Sequence, residues 1–206
     1  MNDKVSAALL VVLATALVAA AQETSPLRWL NPPAKWSAEG GIIAFDVMPK
    51  TDYWRTTHYG YVRDTGPFCF REAAGDFVAT VKVEGTYRDL YDQAGLMIRI
   101  DPKTWIKSGI EFVNGTQNVS TVVTRDFSDW SVVPLSTAPP AIWLQLVRKA
   151  DYVETRYSLD GTAWVTVREA YFPPGTKVQI GVMAAAPEGK GFPVRFDGFS
   201  VAAVKP

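Results

Sequence analysis

Between Tyr91 and Phe112 the chain reads YDQAGLMIRIDPKTWIKSGIEF, which sets an amide (Gln93), two strong bases (Arg99, Lys107) and an acid (Glu111) among alternating apolar residues. A carboxylate can move a proton, a cation can neutralise a developing anion, and an amide can bond a hydroxyl in either sense. Within Gln93 to Ile100 the even positions Ala94, Leu96, Ile98 and Ile100 make an apolar face. From Trp105 to Val113 the even positions Ile106, Ser108, Ile110 and Phe112 do the same, leaving Trp105, Lys107, Gly109 and Glu111 opposite. If two strands pair through the turn at Asp101–Thr104 with odd residues on a shared face, partner numbers must sum to an even value. A sum of 204 sets Gln93 against Glu111, Met97 against Lys107 and Arg99 against Trp105. A sum of 206 moves each partner along by one pair. In either register Lys107 and Glu111 stand about 13 Å apart along their strand, too far for a direct ion pair.

The bland reading is a solvent-facing strand pair. Three features argue for a ligand groove instead: Gly95 and Gly109 remove side chains from the face, Met97 and Trp105 add apolar platforms, and a few polar groups remain between them. Two flanking segments add candidates. TDYWRTTHYGYVRDTG, residues 51–66, carries Asp52, Trp54, His58 and Tyr59; STVVTRDFSDWS, residues 120–131, carries Thr124, Asp129 and Trp130. The simpler alternatives are that Trp54 and Trp130 close an end of the core and that His58 makes a structural hydrogen bond.

The elements that must position these residues are strands. Phe77, Ala79, Val81 and Val83 alternate with polar neighbours, as do Ile142, Leu144 and Leu146, and Val178, Ile180, Val182 and Ala184 repeat the period. Asn114-Gly115, Asp160-Gly161 and Pro173-Pro174-Gly175 supply turns between them. No amphipathic helix and no fixed-spacing repeat interrupts this pattern, so an all-β, antiparallel sandwich is expected.

At the start, MNDKVSAALLVVLATALVAAAQ has a basic n-region, an apolar run and a small-x-small exit at Ala19 and Ala21. It reads as a signal peptide over residues 1–21, followed by a short lead, 22–28, and a single domain, 29–204. The rival is an uncleaved anchor, since the apolar run approaches the lower limit for a spanning helix. A secreted or periplasmic protein is expected, with no stable membrane insertion once the signal is removed. The chain of 206 residues has 21 basic and 21 acidic side chains, giving no electrostatic footprint for nucleic acid. One cysteine, Cys69, and one histidine, His58, exclude an internal disulfide and the usual zinc spacings.

The segments WLNPP, DYWRTTHYG, YDQAGLMIR, WIKSGIE, STVVT and SDWS, in this order, resemble the bacterial and fungal family named after the yeast regulation-of-enolase protein. The resemblance runs from Trp29 to about Val201 and implies a concanavalin A-like jelly roll with one concave, ligand-facing sheet. That superfamily includes lectins and glucanases. The glucanases carry Glu-x-Asp-x-Glu on one strand, whereas this chain offers Lys107-Ser108-Gly109-Ile110-Glu111, with a base where an acid would be needed.

The expected function is therefore carbohydrate or other polyol binding, with Trp54, Trp105 and Trp130 stacking on sugar faces. Gln93, Lys107 and Glu111 would bond hydroxyls, with His58, Tyr59, Arg99, Thr124 and Asp129 as further contacts. A glycan-active enzyme is the first rival: Glu111 would be acid or base and Lys107 or Arg99 the stabilising cation, with a second carboxylate brought from Asp52, Asp92 or Asp129. A base-rich groove would also suit lyase-type cleavage of a polyuronate. A protein-interaction module with no small ligand is the second rival. No cofactor is predicted; a structural calcium would draw on strand-end carboxylates such as Asp76 and Asp197.

Overall fold

The computed structural model describes residues 25–204, and the proposed signal peptide lies outside them. Sixteen strands form two seven-stranded antiparallel sheets and a small hairpin. The first sheet runs in the order β1 (Arg28–Leu30), β6 (Phe68–Ala73), β15 (Val178–Ala185), β8 (Gln93–Asp101), β9 (Thr104–Val113), β10 (Thr116–Arg125) and β11 (Phe127–Pro134). The second runs β14 (Val165–Tyr171), β13 (Tyr152–Ser158), β12 (Ile142–Lys149), β7 (Phe77–Gly85), β16 (Pro193–Ala203), β3 (Ile42–Asp46) and β2 (Trp36–Glu39). The hairpin pairs β4 (Tyr53–Arg55) with β5 (Val62–Asp64). This is the antiparallel sandwich that the strand periodicity implies, and the jelly roll that the family resemblance implies. Among the described residues, no helix is long and apolar enough to cross a membrane.

The interior follows the two-residue period. Phe77, Ala79, Val81 and Val83 of β7 and Ile142, Leu144 and Leu146 of β12 meet Ala94, Leu96 and Ile98 of β8 and Ile106 and Ile110 of β9 in one buried cluster. Turn chemistry sets the connections. Asn114 and Gly115 both adopt positive φ, 51° and 79°, in the two-residue turn joining β9 to β10.

The register of β8 with β9 is the one whose partner numbers sum to 204: Gln93 faces Glu111, Met97 faces Lys107 and Arg99 faces Trp105. Gly95 and Gly109 are directly opposed in it. Their role differs from the groove-opening one expected from sequence. A Cβ on Gly95 would lie 2.1 Å from the Ser108 carbonyl oxygen, and one on Gly109 2.1 Å from that of Ala94. The two strands approach too closely for a side chain, so the pair is a packing requirement. Gly109→Ala is expected to lower stability by about 1–3 kcal/mol through this overpacking, measured as a shift in the urea midpoint at unchanged m-value.

The outer face of the first sheet is not a bare surface. A second buried cluster lies on it, in which Met97 and Trp105 pack with Tyr53, Phe68, Val122 and Met183. The hairpin supplies the cover, and its fastenings are residues of the motifs. Asn31 donates its amide to the Asp64 and Gly66 carbonyls at 2.9 and 3.0 Å, and Ser128 Oγ accepts the Arg55 N–H at 2.9 Å. Arg99 closes a two-pronged ion pair with Asp64 at 2.8 and 2.7 Å.

Candidate functional site

Where the hairpin stops short of covering the sheet, a recess of about 340 Å³, counted to its open mouth, remains between the hairpin, β8, β9 and β11. Its floor is the polar end of the odd face, Gln93, Lys107 and Glu111. Asp52 and the aromatic rings of Trp54, Tyr59, Tyr61, Tyr91 and Trp130 make the walls.

Lys107 organises the floor. Its buried ammonium donates to the Tyr53 carbonyl at 2.7 Å and to Gln93 Oε1 at 2.6 Å, and Asp52 Oδ1 lies 3.7 Å away. Two of its three protons are thus hydrogen-bonded, and Asp52 acts as an ion-pair partner beyond hydrogen-bond reach. Gln93 is fixed in turn by donating Nε2 to the Tyr91 carbonyl at 3.1 Å. Asp52 is brought in by the chain before β4: Oδ1 accepts the Tyr53 N–H at 2.7 Å, and the Asp52 N–H and carbonyl both bond Thr65.

Glu111 is 6 % exposed. Its Oε2 accepts the indole N–H of Trp130 at 2.7 Å, and the same N–H reaches Ser120 Oγ at 3.2 Å. Burial pushes its carboxyl well above the ordinary glutamate range, an effect that Lys107, Ser120 and Trp130 offset only in part. At the rim the Tyr59 and Tyr91 hydroxyls meet at 2.9 Å, and Tyr59 stands edge-on to Trp54. That contact with Tyr91 is the main cause of a raised Tyr59 phenol pKa.

The structure gathers Trp54, Tyr59, Gln93, Lys107, Glu111 and Trp130 from the sequence candidates around one opening. The others lie elsewhere, each for a visible reason. Trp105 is 1 % exposed beneath Tyr53, so no ring face is left for a ligand. Arg99 is buried and held by Asp64. Thr124 is buried against Ser128, their hydroxyls 2.8 Å apart. Asp129 is exposed, one residue before Trp130 on β11 and hence on the opposite face of that strand. His58 is exposed at φ 63°, its ring edge-on to Tyr59 and outside the recess wall. Among the second carboxylates weighed, Asp52 reaches the site and Asp92 does not, being turned to the Arg88 and Asp89 N–H groups. Tyr61 and Tyr91 were not among the sequence candidates. Tyr91 lies in the turn before β8, at φ 65°, and the alternation of apolar and polar residues that selected Gln93 begins only after it.

Asp76 and Asp197, the strand-end carboxylates weighed for calcium, each engage a neighbouring group of the protein. Asp76 accepts the Ala150 N–H and Asp197 pairs with Arg195 at 3.4 Å. Among the described residues no group of three or more His, Cys, Asp or Glu side chains could hold a metal.

Fold and recess together define a jelly-roll sandwich with an aromatic-walled recess on one sheet. The chain belongs to the family described as "Protein of unknown function (DUF1349)", whose model matches residues 29–204. It is 39 % identical over 181 residues, 88 % of this chain and 91 % of the relative, to "Regulation of enolase protein 1" of Saccharomyces cerevisiae. A crystal structure of a functionally unknown protein from that yeast superposes with a TM-score of 0.84 at 38 % identity, over 87 % of this chain and 97 % of that one. Two more distant structures share the fold. The carbohydrate-binding module CBM66 of Bacillus subtilis matches with a TM-score of 0.56 at 11 % identity, over 88 % of this chain and 98 % of the module. A GH43 protein of Bacillus licheniformis, BlXynB, matches with a TM-score of 0.68 at 15 % identity, over 88 % of this chain but 38 % of the enzyme.

Proposed function

We propose that this is an exported carbohydrate-binding protein that holds one sugar residue in the recess. The observation that carries the reading is the convergence of aromatic walls with oriented polar groups, Asp52, Gln93 and Glu111, at one opening. Sugar rings present an apolar C–H face to aromatic rings and a circle of hydroxyls to acceptors, and carboxylates make the stronger bonds to those hydroxyls. The full-length likeness to a carbohydrate-binding module supports the same reading. Calorimetry of the purified, folded protein against a monosaccharide and oligosaccharide panel is expected to detect binding at millimolar concentration or below; silence across the panel would count decisively against a sugar ligand.

One observation favours a second reading. Asp52 enters the recess beside Glu111, so two carboxyl groups of different environment face the same space, as acid–base hydrolysis requires. Release of reducing ends in the same panel identifies an enzyme.

A further inference from the structure

The charge of the recess selects among sugars, an inference that rests on the sugar-binding reading above. Two carboxyl groups, Asp52 and Glu111, line it against one ammonium, Lys107, which donates to two groups of the protein and is ion-paired with Asp52. The other buried base of the motif, Arg99, is bound to Asp64 and does not line the recess. What the site offers a ligand is therefore mostly acceptor. Asp52 Oδ2 receives no hydrogen bond among the described residues, while Oδ1 is used by Tyr53 N–H and Lys107. Around these acceptors stand five aromatic rings, and clustered ring faces attract a cation through their quadrupoles, more strongly when water is excluded.

We infer that the recess is built for a sugar bearing a protonated amine, a hexosamine with a free ammonium, with Asp52 as its principal counter-ion. A neutral sugar can use the same aromatic walls but leaves Asp52 Oδ2 without an ionic partner. A uronate brings a second anion to a place with no free cation, so the polyuronate alternative loses its footing here. Acetylating the amine removes the charge that Asp52 would pair.

The groups facing Glu111 agree. Lys107 and Asp52 oppose one another beside it, and the remaining ionisable neighbours are the phenols of Tyr59, Tyr61 and Tyr91. Burial favours the protonated form of Glu111, and an ammonium in the recess would supply the counter-charge its carboxylate lacks. Arg63, 4.7 Å from the centre of the Tyr61 ring, is a cation near the mouth, but it is exposed and does not line the recess.

The test is calorimetric titration near pH 6 with glucosamine hydrochloride, glucose, N-acetylglucosamine and sodium glucuronate. Glucosamine is expected to bind at least about tenfold more tightly than glucose or N-acetylglucosamine, and glucuronate most weakly. Asp52→Asn, which keeps an acceptor for the Tyr53 N–H, is expected to erase the preference for glucosamine over glucose. Equal affinity for glucosamine and glucose in the unsubstituted protein overturns the charge inference and leaves sugar binding standing. Binding of none of the four sugars by folded protein overturns the inference together with the reading on which it rests.

Discussion

Lys107→Met is expected to lower the melting temperature by about 6–20 °C. The methionine fills nearly the same volume, so the loss is electrostatic. It strands the Tyr53 carbonyl and Gln93 Oε1 without a donor and leaves Asp52 buried with no counter-ion. Removing one partner of a buried ion pair costs about 3–5 kcal/mol, and each kcal/mol moves the midpoint of a domain this size by roughly 2–4 °C. Thermal unfolding followed by circular dichroism reads the effect. A shift under about 2 °C would show that the floor does not depend on the ammonium. The same contacts make Lys107 a positioning residue for Asp52 and Gln93 before it is anything else.

Glu111→Gln is expected to do the opposite to stability while weakening binding. A carboxyl whose pKa is raised by folding lowers stability as it ionises: the penalty is absent below the ordinary glutamate pKa, grows as pH rises through the window up to the raised value, and is complete above it. Glutamine keeps an acceptor for the Trp130 indole and has no such charge to bury. The variant should therefore melt higher than the parent at neutral pH and match it near pH 4, which paired melting curves at the two values can show. Loss of a charge-assisted bond should weaken sugar binding by about 1.5–3 kcal/mol, roughly ten- to 150-fold. If the protein is instead a hydrolase using Glu111 for proton transfer, turnover falls by about 10²–10⁴-fold with binding retained. A substitution that changes neither binding nor turnover nor the pH dependence of melting would remove Glu111 from the site altogether. Higher stability with weaker binding is the pattern of a residue kept for a ligand at the expense of the fold.

Much of the architecture is legible in the alternation of residues. The inward faces of β7, β8, β9 and β12 follow from it, because a strand's side chains point to opposite sides with period two and only one side can be apolar by chance so often. The resemblance carried by WLNPP, DYWRTTHYG and SDWS is borne out by family membership, and the structure explains two of those segments: Asn31 and Ser128 fasten the hairpin.

What alternation cannot state is what covers the second face. Met97, Trp105 and Arg99 carry the same parity as Gln93, Lys107 and Glu111, and from sequence all six share one groove. In the fold a hairpin more than thirty residues earlier in the chain lies over three of them and leaves three at the recess. The partition depends on contacts between distant segments, Tyr53 with Lys107 and Asp64 with Arg99, and no local period encodes such pairings. The sequence by itself therefore determined the strands, their inward faces and the restriction of β8 and β9 to two registers. Tertiary structure decided between those registers and brought Asp52 to Lys107. It also reduced a supposed open groove to one recess, because burial and counter-ions belong to neighbours in space.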